Sequence, residues 1–176
     1  KVEEVNKDFA RAFYFAQIEP KKIKDVYRPR FSRLVFMAQM PHLDIEAEVS
    51  KLKKSKLSKD DKKELEKRLH FVQLWLKEYA PESVKFTIQK TLPASAKSLT
   101  KDQKNFLSEI ADELQKKQSG EELHARIHAI RKASPLQARE AFSAIYLSLI
   151  GKDSGPQAGW FLEALDREFV VRRFKD

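Results

Sequence analysis

A chain of 176 residues with a net charge of +9, 41% apolar and 35% charged, is long enough for one domain or two small ones around a buried core, and too apolar to stay disordered. The absence of cysteine excludes a disulfide framework and a thiolate metal site. The longest run free of charge and glycine, AFSAIYLSLI, falls far short of the roughly 20 residues a membrane-spanning helix needs, so no membrane partner is expected.

The chain opens KVEEVNKDF, with neither an initiator Met nor an apolar signal core, and is expected to be a piece of something longer. Asn6 can cap a first helix over KDFARAFYFAQ, which ends before the proline of IEP. Residues 21–33 then carry a net +5, from Lys21, Lys22, Lys24, Arg28, Arg30 and Arg33 against Asp25. Pro29 opens a second helix through RFSRLVFMAQ, with Phe31, Leu34, Val35 and Ala38 as its apolar face, and Pro41 stops it. Asp44 can cap IEAEVSKLKKS. Ser58 starts the longest helix, running to about Tyr79, in which Leu65, Leu69, Val72, Leu76 and Tyr79 make a core stripe and Pro81 marks the end. Residues 51–68 again carry a net +5. Two such basic stretches suit a polyanion, because neutralising phosphates releases condensed counterions; a solvated helix face is the plainer reading of the same charges.

MPHLDI (40–45) and KLSKD (56–60) are faintly similar to the two signatures of class I aminoacyl-tRNA synthetases. Those signatures belong on the edge of a parallel βαβ sheet, whereas here they bracket one short helix, and PHLD lacks the glycine that admits a nucleotide. Neither is expected to form an active site.

KFTIQKTLP is the one β-like stretch and is expected to be an extended connection. Three capping boxes follow: Thr100 with Gln103, Ser119 with Glu122, and Ser134 with Gln137, the last with Pro135 at the first helical position. Phe106, Leu107, Ile110 and Leu114 form the core stripe of the first of these helices. His124 and His128 stand four apart, one turn after Glu121. That spacing offers two metal ligands but no HExxH pattern, so no metal site is expected. There is no serine elbow and no P-loop, and no catalytic residue is expected in this chain.

Gly151, Gly155 and Gly159 gather three of the four glycines. Gly151 suits the left-handed position just past a helix end. Gly155-Pro156 reads as the cap and first residue of the next helix. Gly159 falls inside that helix, where glycine costs about 1 kcal/mol relative to alanine, so a closely crossing neighbour is expected. Asp166 can cap a last helix, REFVVRRF. Phe13, Tyr14, Phe15, Phe36, Phe71, Phe106, Phe142 and Tyr146 have the spacing and neighbours of core residues. Trp75 is expected to be buried, and Trp160 is open either to packing or to stacking on a splayed base. The sum is an all-α fold, a multi-helix bundle or cage of about seven to nine helices with no sizeable sheet.

AFSAIYLSLIGKDSGPQAGWFLEALDREFVVRRF resembles the C-terminal end of class I lysyl-tRNA synthetases, in which a helix, the phrase Gly-Lys-x-x-Gly-Pro-x-x-Gly and a closing short helix come in this order. RLHFVQLWLKEYAPESVKF and LTKDQKNFLSEIADEL are similar to upstream segments of the same family, so that the resemblance covers residues 65–176 well and residues 1–60 loosely. The Gly-Pro phrase is also loosely similar to the end of glutamyl-tRNA synthetases.

The resemblance implies an N-terminal helical, stem-contact-like segment over residues 1–57 and an anticodon-binding α-helix cage over residues 58–176. It implies the tRNA-binding portion of a lysine–tRNA ligase whose catalytic Rossmann domain lies elsewhere, so that this piece alone is non-catalytic. ATP with magnesium belongs to the full-length enzyme, with no cofactor in this piece. The implied partners are a lysine tRNA, through its anticodon stem-loop, and the enzyme's own catalytic domain, with no DNA, in the cytoplasm. Arg28, Arg30, Arg33, Lys152, Arg172 and Arg173 are expected to meet phosphates, and Gln157 and Trp160 to meet bases. Family members often carry a basic residue where this chain has Gln157. A helical protein-interaction module with a merely solvated basic surface is the alternative, and a helical metalloenzyme using Glu121, His124 and His128 a third reading.

Overall fold

The structure, a computed structural model, describes residues 25–41 and 43–175. The expected helix after Asn6, with Phe13, Tyr14 and Phe15, lies outside the described residues, as does His42 of MPHLDI. Among the described residues there are eight α-helices, one 3-10 turn and no strand. The helices are α1 (Phe31–Met37), α2 (Ile45–Lys53), α3 (Lys59–Glu78), α4 (Lys101–Glu113), α5 (Gly120–Ala133), α6 (Ala138–Leu149), α7 (Ala158–Glu163) and α8 (Arg167–Lys175); the 3-10 turn is Ala94–Ser98.

Most helix starts are written in side chains. Asp44 accepts from Ala47 N (3.0 Å), and Ser58–Asp61, Thr100–Gln103 and Ser119–Glu122 form reciprocal capping boxes. Asp166 accepts from Phe169 N (2.7 Å) at the start of α8. Two starts differ from expectation. The Ser134 hydroxyl donates back to Arg131 O (2.8 Å), so Ser134 closes α5; α6 begins after Gln137, whose N–H donates to the Glu140 carboxylate (2.8 Å). Similarly, the Pro156 carbonyl accepts from the Tyr146 hydroxyl, and α7 begins not at Pro156 but at Ala158, with Gln157 as its cap. Gly151 is left-handed as expected, with φ 71°.

Two apolar cores result. The larger packs α4 to α8 around Phe106, Ile110, Ile127, Ile145, Leu149 and Phe161. The smaller packs α1 to α3 around Leu34, Val35, Val49, Leu65 and Val72. Phe36 and Leu43 pack against both. Residues 79–93 form a strap with neither helix nor strand: a turn at 82–84, closed by Val84 N donating to Pro81 O (3.0 Å), leads into the irregular connection over KFTIQKTLP. Two expected core aromatics face water instead: Phe71, which flanks the narrow stripe that meets α1, is 52% exposed, and Tyr79, which lies just past the end of α3, is 74% exposed. Trp75 is half-buried, edge-on to Phe31 with ring centroids 5.3 Å apart.

The tightest helix crossing is α5 on α7. Gly159 lies so close to Gly120 that any Cβ on it would collide with the Gly120 carbonyl oxygen and come within 2.5 Å of His124 Cβ. Glycine is needed on both helices: a Cβ at Gly120 would collide with the Glu163 carboxylate and stand 2.9 Å from the Trp160 indole.

A candidate nucleic-acid interface between α1 and α7

The close α5–α7 crossing fixes where α7 points. Its outer face, together with α1 and α2, walls an open cleft of about 580 Å³. It is lined by Arg30, the cap of α1, and Arg33 of its first turn, and by Gln157, Trp160 and Glu163 of the α7 region, with the apolar Pro156 and Phe36. Glu48 and Lys51 of α2 form the third side and pair with each other at 2.5 Å. The hydrogen bond and charge of Glu48 raise the Lys51 pKa, and Glu163 acts in the same direction from across the cleft. A smaller depression of about 260 Å³ adjoins it along the strap, sharing Ser32, Phe36 and Pro156.

Four of the eight expected contact residues, Arg30, Arg33, Gln157 and Trp160, thus meet although more than a hundred residues separate them in the chain. Arg30, Arg33 and Gln157 are exposed. Trp160 is half-buried and held from behind by a ladder of rings: His124 at 5.3 Å, then His128 at 4.7 Å, then Phe142 at 5.0 Å. His124 and His128 therefore serve as packing for the indole. Burial, then the neighbouring His124, lowers the His128 pKa and favours its neutral, stackable form.

The other four are spread elsewhere. Arg28 is exposed and pairs with Glu64 at 3.2 Å. Arg172 is exposed on α8. Lys152 donates to the carbonyls of Glu82 (2.6 Å) and Lys85 (2.7 Å) of the strap. Arg173 is 7% exposed, and its guanidinium donates to the carbonyls of Ser148 (2.8 Å), Gln89 (3.1 Å) and Lys90 (2.9 Å) while lying 4.9 Å over the Phe169 ring. The donors of Lys152 and Arg173 are thus turned inward, onto backbone oxygens.

Sequence reading missed Glu48, Lys51 and Glu163. The first two had a signal in their three-residue spacing on α2, which sets up the pair. Glu163 had only its place one turn after Trp160.

The arrangement suits single-stranded nucleic acid: an aromatic face, an amide that both donates and accepts, and guanidinium groups for phosphate, in a groove open to solvent. Among the described residues no group of three or more His, Asp or Glu could hold a metal ion, and no helix is long and apolar enough to cross a membrane.

Comparison with known proteins agrees with that chemistry. The chain is 34% identical over 164 residues to a lysine–tRNA ligase of Methanosarcina barkeri, a match that covers 83% of this chain and 30% of that protein. It is 32% identical over 172 residues to the lysine–tRNA ligase of Pyrococcus horikoshii, covering 94% and 32% respectively. A third, from Archaeoglobus fulgidus, is 30% identical over 147 residues, covering 82% and 29%. The chain thus spans about a third of the length of these curated relatives. The sequence profile of the anticodon binding domain matches residues 75–176, more than half of the chain. Residues 75–176 contain α4 to α8 and the Gln157–Trp160–Glu163 wall, and the chain belongs to the anticodon-binding domain family.

Proposed function

We propose that the chain is the tRNA-binding portion of a class I lysine–tRNA ligase, and that the anticodon loop of a lysine tRNA enters the cleft between α1 and α7. One observation carries this reading: the fold brings Arg30, Arg33, Gln157 and Trp160 together to line one groove of about 580 Å³. A base stacks on Trp160 with Gln157 at its edge, and Arg30 and Arg33 take the flanking phosphates. Arg28, two residues before Arg30, extends the phosphate track, whereas Lys152 and Arg173 act through the strap they hold. Within this reading residues 1–57 contact the stem and residues 58–176 form the cage, with α3 shared, since its stripe completes the smaller core. Ligation itself, with ATP and magnesium, belongs to the catalytic domain of the full-length cytoplasmic enzyme, which is this chain's protein partner.

Fluorescence titration of a labelled anticodon stem-loop tests the proposal. Binding should weaken steeply with salt and fall when the UUU anticodon is changed. Arg33→Ala should reduce the slope of log K against log salt by about 0.7, the share of one single-strand phosphate. Salt-insensitive or absent binding would overturn the reading. The exposed Phe31, Phe71, Leu74 and Tyr79 favour a second reading, a helical module that docks a protein partner. It predicts tRNA affinity no greater than that of a lysine-rich control.

A further inference from the structure

The cleft has a feature that phosphate binding alone does not call for: it holds an acid that forms no hydrogen bond or ion pair among the described residues and feels only the charge of Lys51. Of its two carboxylates, Glu48 is tied to Lys51 at 2.5 Å. Glu163 is exposed and forms no hydrogen bond or ion pair with the described residues. Its side chain is held against Gly120 at the start of α5, and it is near enough to Lys51 to raise that amine's pKa. A carboxylate in this position repels phosphate, so its place in an RNA groove is at a base edge that offers a proton. The groups around it are donors. Gln157 stands at the cap of the same helix, Trp160 lies one turn before Glu163, and Arg30 and Arg33 line the same cleft.

We infer that Glu163 is a specificity-determining residue that accepts the N3–H of a uracil stacked on Trp160, with donors on the two flanking carbonyl oxygens from Gln157 and from one of the phosphate-binding arginines, Arg30 or Arg33, whose guanidinium has donors for both. The inference rests on the anticodon reading above. Uracil is the base whose pairing edge reads acceptor–donor–acceptor. Cytosine reads acceptor–acceptor–donor and guanine acceptor–donor–donor, while adenine puts a bare nitrogen where uracil has N3–H. A single acceptor-only group between donors complements the first of these patterns and leaves a lone pair facing a carboxylate in cytosine and adenine.

The test uses 17-nucleotide anticodon stem-loops titrated into the full chain, with each anticodon uridine replaced in turn by cytidine or by N3-methyluridine, which keeps both carbonyls and loses the proton. At one position both replacements should weaken wild-type binding about tenfold or more, the scale of a charge-assisted hydrogen bond. Glu163→Ala should remove that difference. Glu163→Gln, whose amide can present either end, should bind the cytidine loop more tightly and shrink the preference for uridine to within about twofold. Glu109→Gln, an exposed acid on α4 away from the cleft, should leave the preference unchanged. If the wild type binds and discriminates and the Glu163 variants discriminate equally well, the inference is overturned while the anticodon reading stands. A drop in melting temperature with an unchanged base preference overturns it equally, since that marks Glu163 as a partner of the α5 N-terminus only. If the wild type binds no loop, both are overturned.

Discussion

Asp61 is 3% exposed yet keeps its charge, because it accepts from three donors: Tyr27 N (2.7 Å), Ser58 N (2.7 Å) and Lys53 Nζ (2.6 Å). The Lys53 ammonium, then the two backbone amides, hold its carboxyl far below the usual carboxylate range. Because the folded state lowers this pKa, the stabilisation is complete above the unfolded value near 3.8 and is lost as pH falls below it. Circular-dichroism melts between pH 2 and 6 should show wild-type melting temperature falling steeply below about pH 4. Asp61→Asn should melt lower at pH 6 and lose part of that acid dependence. Half of this was legible in the sequence: Ser58 announced the cap, three residues before Asp61. The link to Tyr27 was not, since a contact across 34 residues leaves no periodic trace. Arg173 shows the same limit from the other side. In RRF it reads as one more basic group, and only the packing of α8 on α4 and α6 turns it inward, while Arg172 beside it stays in water.

At the scale of elements, Gly159 was legible as costly and therefore purposeful, but its counterpart Gly120 was not, because no local rule pairs two glycines 39 residues apart. The pair lets α5 and α7 approach until backbone meets side chain, and Trp160 and Glu163 inherit their positions from that crossing. In Gly159→Ala the clash is with a main-chain oxygen, which cannot swing aside, so urea unfolding should show a loss of about 2–3 kcal/mol. Stem-loop affinity should fall in the same variant under conditions where it remains folded. The helix starts follow the same division: Thr100, Ser119, Ser58, Asp44 and Asp166 were readable because a cap is a three-residue device. Ser134 and Pro156 misled, and each is captured by a partner. Ser134 is held by the end of α5, and Pro156 by Tyr146 of α6, where burial pushes the hydroxyl pKa up to about 12.

In the whole molecule, the all-α fold and its eight described helices were visible from periodicity and punctuation, whereas the cleft was not. It exists because Phe36 and Leu43 join the smaller core to the larger, and so bring residues 30–33 across to residues 157–160. The strap fixes that junction. Gln39 accepts from Phe86 N (2.8 Å) and donates to Val84 O (3.3 Å), and Leu149 O accepts from Gln89 N (2.8 Å). Lys152 grips Glu82 O and Lys85 O, and Arg173 grips Gln89 O and Lys90 O. Lys152→Met or Arg173→Met should speed amide hydrogen exchange across residues 82–90 and lower stem-loop affinity by loosening the cleft. Every group that these ties grasp on the strap is a peptide N–H or C=O, which nearly any amino acid supplies. The gripping side chains are therefore blind to the identity of most residues they grip: the exposed Lys90 is replaceable for this purpose, while Gln39, Lys152 and Arg173 are not.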